Sequence, residues 1–192
     1  MAEPATDHRQ ATAQRNVEAI LDACDALAAR GAPLTIAALA AESGVSRVTV
    51  YAHFDSVGAV LQAASHRSVQ RVMAAVGQVD LESGSGLDAL ERMVAAAWPH
   101  VGELEGLSRA TGELLAPEER RAVHGDVFEL VDRLIARGRD DGSIRTDVPP
   151  GWQASVVYAL IHTAVDDTNH GRLDRGDAQR ALTTTVRAAL AA

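Results

Sequence analysis

Within seven consecutive positions the chain places Arg47, Val48, Thr49, Tyr51 and His53, preceded by Ser46 and, eleven residues earlier, Thr35. These side chains suit binding rather than turnover. A guanidinium and an imidazole can reach phosphate oxygens or base edges, and two hydroxyls suit phosphate oxygens. Val48 offers an aliphatic surface that can meet a thymine methyl. If the stretch is helical, Val50 and Phe54, with Val45 before them, anchor one side. Arg47, Val48, Thr49, Tyr51 and His53 are then left to point outward. Thr35 and Ser46 can each cap a helix, and the backbone N–H groups at such helix starts attract phosphate.

A second group of large or polar residues is scattered among Ala and Val in the later part of the chain. Trp98 and His100 flank Pro99, Met93 lies about a turn earlier, and Arg109 and Phe128 follow. Tyr158, His162 and Asp166 are spaced four apart and share one helix face. Together they are the candidate lining of a small-molecule pocket, apolar with a few polar groups. The plainer expectation for Met93, Trp98 and Phe128 is core packing. Asp166 and Asp167 oppose the macrodipole at a helix C-terminus, and pairing with Arg172 or Arg175 is the expected remedy. The alternative is that Asp166 serves a cationic ligand or, with His162 and His170, a metal. Two His and one Asp at helical spacing arise easily by chance, so no metal is assigned.

No Gly-rich phosphate loop, paired-cysteine metal motif, His-Glu-x-x-His or nucleophile elbow is present, so neither an enzyme nor a cofactor is expected. The chain has 192 residues, nearly half of them apolar but only 3% aromatic. Such a core packs through Ala, Val and Leu on closely approaching helices, which favours an all-α fold. All 18 basic residues are Arg, and the net charge is −8. Residues 1–75 carry six Arg against seven acids, −1, and residues 76–192 carry twelve against nineteen, −7. That balance argues against a generic polyanion binder and leaves nucleic-acid contact to a few placed groups in the first part. The single cysteine, Cys24, excludes an intrachain disulfide and reads as a small buried hydrophobe. No signal peptide is visible, and the longest apolar stretch, 154–165, is too short for the roughly 20 residues that span a bilayer. A cytoplasmic protein with no membrane partner is expected.

Residues 1–11 are polar and are expected to be a disordered arm. From about Thr12 to Arg30, Val17, Ile20, Leu21, Cys24, Leu27 and Ala28 recur on one helical face, and Gly31 and Pro33 end the run. A short helix then follows Thr35 and stops at Gly44, which supplies a left-handed residue. Another runs from Ser46 to about His53, and a fourth starts after Ser56 and reaches about Val76. The Gly- and Ser-rich segment 77–86 is the best boundary. Helices are expected over 87–98, 101–115 and 117–137, with Pro99 separating the first two. A loop follows over 138–151, and two last helices occupy about 152–167 and 176–190. No strand pattern stands out.

Two short helices joined at Gly44 after a longer one form a helix-turn-helix layout. The stretch from Ile20 to Leu61 resembles the N-terminal domain of tetracycline-repressor (TetR) family regulators. The likeness rests on Ile20-Leu21-Asp22-Ala23, Arg30-Gly31 and Leu39-Ala40. It continues through Ala41-Glu42-Ser43-Gly44-Val45-Ser46-Arg47 and Thr49-Val50-Tyr51-Ala52-His53-Phe54. The chain departs at Val48, where the family commonly has Gly, at Val57, where a Lys is common, and in the loop 31–35, one residue short. The resemblance implies an all-helical homodimer with an N-terminal three-helix DNA-binding domain. Its third helix would bind a near-palindromic double-stranded operator, and a small molecule in the C-terminal domain would release it. The last two helices would build the dimer interface.

The expected domains are thus a disordered arm over 1–11, a helix-turn-helix domain over 12–56, and a linking helix with a ligand-binding and dimerisation domain over 57–192. The expected function is a ligand-responsive transcriptional regulator, a repressor released by an effector that the sequence does not name. The alternative is a helical ligand-binding or protein-interaction module of the same fold with weak or lost DNA binding.

Overall fold

A computed structural model describes the backbone of residues 4–114 and 117–192. Side chains are described for residues 10–101, 106, 107, 110 and 125–192. The described residues form eight helices: α1 (Pro4–Ala29), α2 (Ile36–Ser43), α3 (Arg47–His53), α4 (Val57–Val76), α5 (Gly86–Leu114), α6 (Pro117–Asp140), α7 (Pro150–Asn169) and α8 (Arg175–Leu190). The all-α expectation holds. The β-type pairing found among these residues is an isolated antiparallel bridge between Ile144 and Ala191.

Two boundaries differ from the sequence reading. α1 begins at Pro4, eight residues before the start read from apolar periodicity. Its first turns have no apolar face, yet proline suits a first helical turn and Ala, Gln and Arg are good helix formers. Within the helix, Arg15 donates to the Thr12 hydroxyl at 2.8 Å and Gln14 to Glu18 at 2.8 Å. Pro99 does not break the chain either, since α5 runs continuously past it. Pro99 is exposed, and Ala95, whose carbonyl loses its amide partner, is only half-buried. The Gly/Ser-rich segment does separate α4 from α5, as read, and it is held in place by arginines. Arg92 Nε donates to the Asp80 carbonyl at 2.7 Å, and Arg137 donates to the carbonyls of Leu81 at 2.5 Å and Gly84 at 2.6 Å.

The chain forms two compact units, and no single cut in the sequence separates them. Unit 1 comprises residues 1–68 and 103–123; unit 2 comprises 69–102 and 124–192. In unit 1, Ile20, Leu39, Val50, Val60, Leu61 and Ala64 are fully buried and pack around Cys24 and Leu27. Leu107 of α5 joins this core at 1% exposure. Gly106 lets α5 approach that closely: a Cβ there would lie 2.8 Å from the Ala28 carbonyl. In unit 2, α7 and α8 pack as a helical hairpin turned at Gly171, whose φ is +67°. Val157, Val165, Leu182, Val186 and Leu190 are buried there. Arg139 organises the loop after α6 by donating to the Arg145 and Val148 carbonyls and to the amide oxygen of buried Gln153.

Candidate functional site

The helix-turn-helix is assembled from local capping chemistry. The Thr35 hydroxyl accepts from the Ala38 N–H at 3.0 Å and starts α2. Gly44 ends that helix at φ +72°, a conformation glycine adopts without steric cost. The Ser46 hydroxyl accepts from the Thr49 N–H at 3.0 Å and starts α3, and Ser56 does the same for α4 through the Ala59 N–H at 3.1 Å. Arg30 pairs with Glu42 through both guanidinium nitrogens, at 3.1 and 2.9 Å, and so fixes the end of α1 against α2. Val50 is completely buried and seats α3 on the core.

That seating decides which side chains α3 presents. Arg47, Val48 and Tyr51 are exposed, Val48 at 78% and Tyr51 at 58%. Thr49 and His53 are half-buried, and the Thr49 hydroxyl lies 2.8 Å from that of Ser46. The outward surface is therefore narrower than the five residues read from the sequence. Its centre is a guanidinium, a phenol and an isopropyl group.

Sequence reasoning passed over Arg67. Its side chain, 12% exposed, pairs with Glu18 at 2.8 Å, Asp22 at 2.9 Å and Asp25 at 2.6 Å. This clasp, in which one terminal nitrogen meets Glu18 and Asp22 and the other Asp25, holds α4 against α1. The signal was three acids at i, i+4 and i+7 on α1, with their partner more than forty residues away. Ser65 and Ser68 were also missed. Both are buried on α4, and neither hydroxyl has a hydrogen-bond partner among the described residues. Cys24 is buried as expected, and desolvation, then the neighbouring Asp25, pushes its thiol up to about 12.

The eight candidate pocket residues separate into different environments. Met93 and Trp98 are core, 3% and 4% exposed, and the Trp98 indole N–H donates to the Arg175 carbonyl at 3.0 Å. Phe128 and Tyr158 do meet, edge to face, with ring centroids 4.7 Å apart. The Tyr158 hydroxyl is buried with no hydrogen-bond partner among the described residues. Burial, and next the nearby Asp132 carboxylate, push its pKa well above the usual phenol range. His162 is exposed, His100 is half-buried, and the side chain of Arg109 lies outside the described residues. Asp166 and Asp167 both bind Arg172, each at 2.5 Å, which answers the charge at the end of α7. Arg175 instead donates to the Pro99 carbonyl at 2.5 Å. His170 Nδ1 lies 3.1 Å from Asp166, and no group of three potential metal ligands occurs among the described residues. On the outside of unit 2, Trp152 is 62% exposed. It borders a surface recess of about 220 Å³ lined also by Arg145, Val148, Gln153, Val156, Ala189 and Leu190. Among the described residues, no helix is long and apolar enough to cross a membrane.

Residues 20–64 match the family described as bacterial regulatory proteins, tetR family. The chain is 27% identical over 159 residues to the transcriptional repressor LfrR of Mycolicibacterium smegmatis, covering 82% of each protein. The crystal structure of LfrR in complex with proflavine superposes with a TM-score of 0.72 at 25% identity, over 90% of this chain and 94% of that one. A TetR-family regulator from Marinobacter aquaeolei VT8 shares the fold at a TM-score of 0.75 and 16% identity, over 95% and 98% of the two chains. The capped helix-turn-helix thus carries the domain of the tetR family over residues 20–64, and the all-helical chain as a whole is similar to TetR-family transcriptional regulators.

Proposed function

We propose that this regulator is a homodimeric repressor that binds a double-stranded operator through α3 and is released by a small aromatic effector. The observation that carries the DNA half is the face of α3, where Arg47, Val48 and Tyr51 stand out from a helix locked by the Ser46 cap and by Val50. Arg47 supplies charge and hydrogen-bond donors, and Tyr51 a hydroxyl suited to a phosphate oxygen. Thr35, Ser46, Thr49 and His53 support this face by capping and packing.

For the effector, the Phe128–Tyr158 pair is the favoured centre. An aromatic edge with an unpartnered buried phenol is an unfinished site, because burying such a hydroxyl without a partner costs free energy. A flat aromatic ligand with hydrogen-bonding nitrogens would stack and pair there, with Asp132 favouring a positive charge. The proflavine complex of LfrR motivates that choice. Met93, Trp98 and His100 would shape the surrounding wall, and Arg109, His162 and Asp166 remain outer candidates. The influence of the effector would pass along α4, which runs from unit 1 into unit 2 and is held to α1 by Arg67. Loss of the spacing between two recognition helices would then lower affinity for a two-half-site operator. The dimer surface we assign to α7 and α8, where Trp152 leaves a large apolar group in water.

The deciding experiment is a fluorescence-anisotropy titration of DNA from immediately upstream of the gene, with competitor DNA, for the wild type, Arg47→Ala and Tyr51→Ala. Tight binding lost in both variants, and reversed by proflavine in the wild type but not in Tyr158→Phe, is the expected result. Binding unaffected by either α3 substitution would reject the interface. It would favour a module of this fold that no longer reads DNA. Sedimentation of Trp152→Glu as a monomer, beside a dimeric wild type, tests the assembly separately.

A further inference from the structure

Val48 has no evident role in the fold. At 78% exposure it is the most exposed large hydrophobic side chain among the described residues, while Val50, two positions on, is completely buried and does the anchoring. An isolated exposed valine needs no explanation on an ordinary surface, but this one lies at the middle of the face that α3 presents. Arg47 precedes it. Tyr51, 58% exposed, follows one turn on, and Ala52, also exposed, extends the apolar strip at i+4. Thr49, the polar neighbour that could read a base edge, has its hydroxyl 2.8 Å from that of Ser46 and its N–H on the same oxygen. That hydroxyl is already engaged in the cap.

An isopropyl group can neither donate nor accept a hydrogen bond, so it cannot read the polar edge of any base. In the major groove, the apolar group a base pair offers is the 5-methyl of thymine. We infer that Val48, extended by Ala52, is a specificity-determining residue that selects thymine at one position in each half-site by contact with its methyl group. The inference rests on α3 being the recognition helix. It adds which residue discriminates and by what chemistry: loss of water from two apolar surfaces, rather than a donor–acceptor pair.

The test uses the full-length protein and duplexes enriched by it from a random-sequence pool. Each thymine of the enriched site is replaced singly by deoxyuridine, which removes the methyl and keeps every hydrogen-bonding group. Transfer of one buried methyl out of water is worth about fourfold in affinity, and about fifteenfold when both half-sites are altered. The wild type should show that loss at one thymine per half-site, and Val48→Ala should bind the thymine and deoxyuridine duplexes alike. The position is exposed, so the melting temperature of Val48→Ala should match the wild type. A wild type indifferent to deoxyuridine at every thymine, or a Val48→Ala variant that keeps the full methyl preference, overturns the inference while leaving α3 as the DNA-binding helix. Failure to enrich any sequence overturns both.

Discussion

Two glycines in helices of this chain should respond to the same substitution with opposite signs. Replacing either by alanine gains helix propensity, about 0.5–1 kcal/mol. At Gly125 in α6 an added Cβ meets nothing within 4 Å, so Gly125→Ala should keep the whole gain. At Gly106 in α5 the new Cβ would lie 2.8 Å from the carbonyl carbon and oxygen of Ala28 and 2.9 Å from the Ala29 nitrogen. These are backbone atoms, and no rotamer change can move them. Ordinary contact begins at about 3.4 Å, so α5 and α1 must separate by roughly 0.6 Å, a strain of the kind that costs about 1–3 kcal/mol. The net effect of Gly106→Ala is a loss of about 0.5–2 kcal/mol, because strain exceeds propensity. For a chain of this size each kcal/mol moves the melting temperature by about 2–4 °C. Differential scanning calorimetry should therefore show Gly125→Ala a few degrees above the wild type and Gly106→Ala a few degrees below it. If Gly106→Ala melts as high as Gly125→Ala, α5 does not press on the end of α1, and Leu107 has no place in the DNA-binding core.

The thiol of Cys24, pushed up to about 12 and 1% exposed, should resist an aromatic disulfide reagent at pH 8 until the protein is denatured; labelling of the folded protein at the rate of free cysteine would contradict its burial. Asp88 is held down at about 2, first by Arg187 and then by the Ser85 hydroxyl and N–H. A depressed carboxylate contributes stability that is present above its ordinary pKa, near 3.8, and is lost as pH falls towards the folded value. Arg187→Gln should thus melt below the wild type at pH 6, with the gap closing as pH falls from about 4 to about 2. A gap unchanged at pH 2 would assign the effect to something other than the Asp88 and Glu91 pairs.

The helix-turn-helix was legible because its determinants are local. Thr35, Ser46, Ser56 and Gly44 act within three or four residues of themselves, and the structure finds each doing so. The charge at the end of α7 was legible for the same reason, since Arg172 lies five and six residues from the acids it binds. Nonlocal packing was not legible. Proline costs about 3 kcal/mol inside a helix, which predicts a break at Pro99. Burial of Met93, Val94, Ala97 and Trp98 on one stretch of α5, and of Leu107 on the other, outweighs that cost. Leu107 in the N-terminal core leaves no periodic trace, and the three acids of α1 recur at helical spacing without naming Arg67 as their partner. At the candidate effector site, sequence spacing grouped Tyr158 with His162 and Asp166 on one face. Packing instead paired Tyr158 with Phe128, from another helix.

The charge economy of unit 1 makes a further quantity predictable. Affinity for DNA falls with salt in proportion to the number of phosphates that cations neutralise, with a logarithmic slope of about −0.9 for each. The described arginines of the first 68 residues are Arg15, Arg30, Arg47 and Arg67. Arg30 is spent on Glu42, and Arg67 on Glu18, Asp22 and Asp25. Val57 stands where the family commonly carries a lysine. Arg47 remains on α3, and Arg15 on α1 with the Thr12 hydroxyl as its partner. With Arg9, whose side chain lies outside the described residues, counted beside them, three such cations in each protomer of a dimer give a slope of about −5 in log affinity against log salt. Hydroxyl and backbone contacts add affinity without adding to that slope. Removing Arg47 should make it shallower by about 2, whereas Arg30→Gln, already neutralised in place by Glu42, should leave it unchanged. Titrations at several salt concentrations with the enriched operator measure all three. A wild-type slope steeper than about −7 would require about eight phosphate contacts. The paired arginines would then have to leave their carboxylates for DNA, and the clasp between α1 and α4 would open on binding instead of persisting through it.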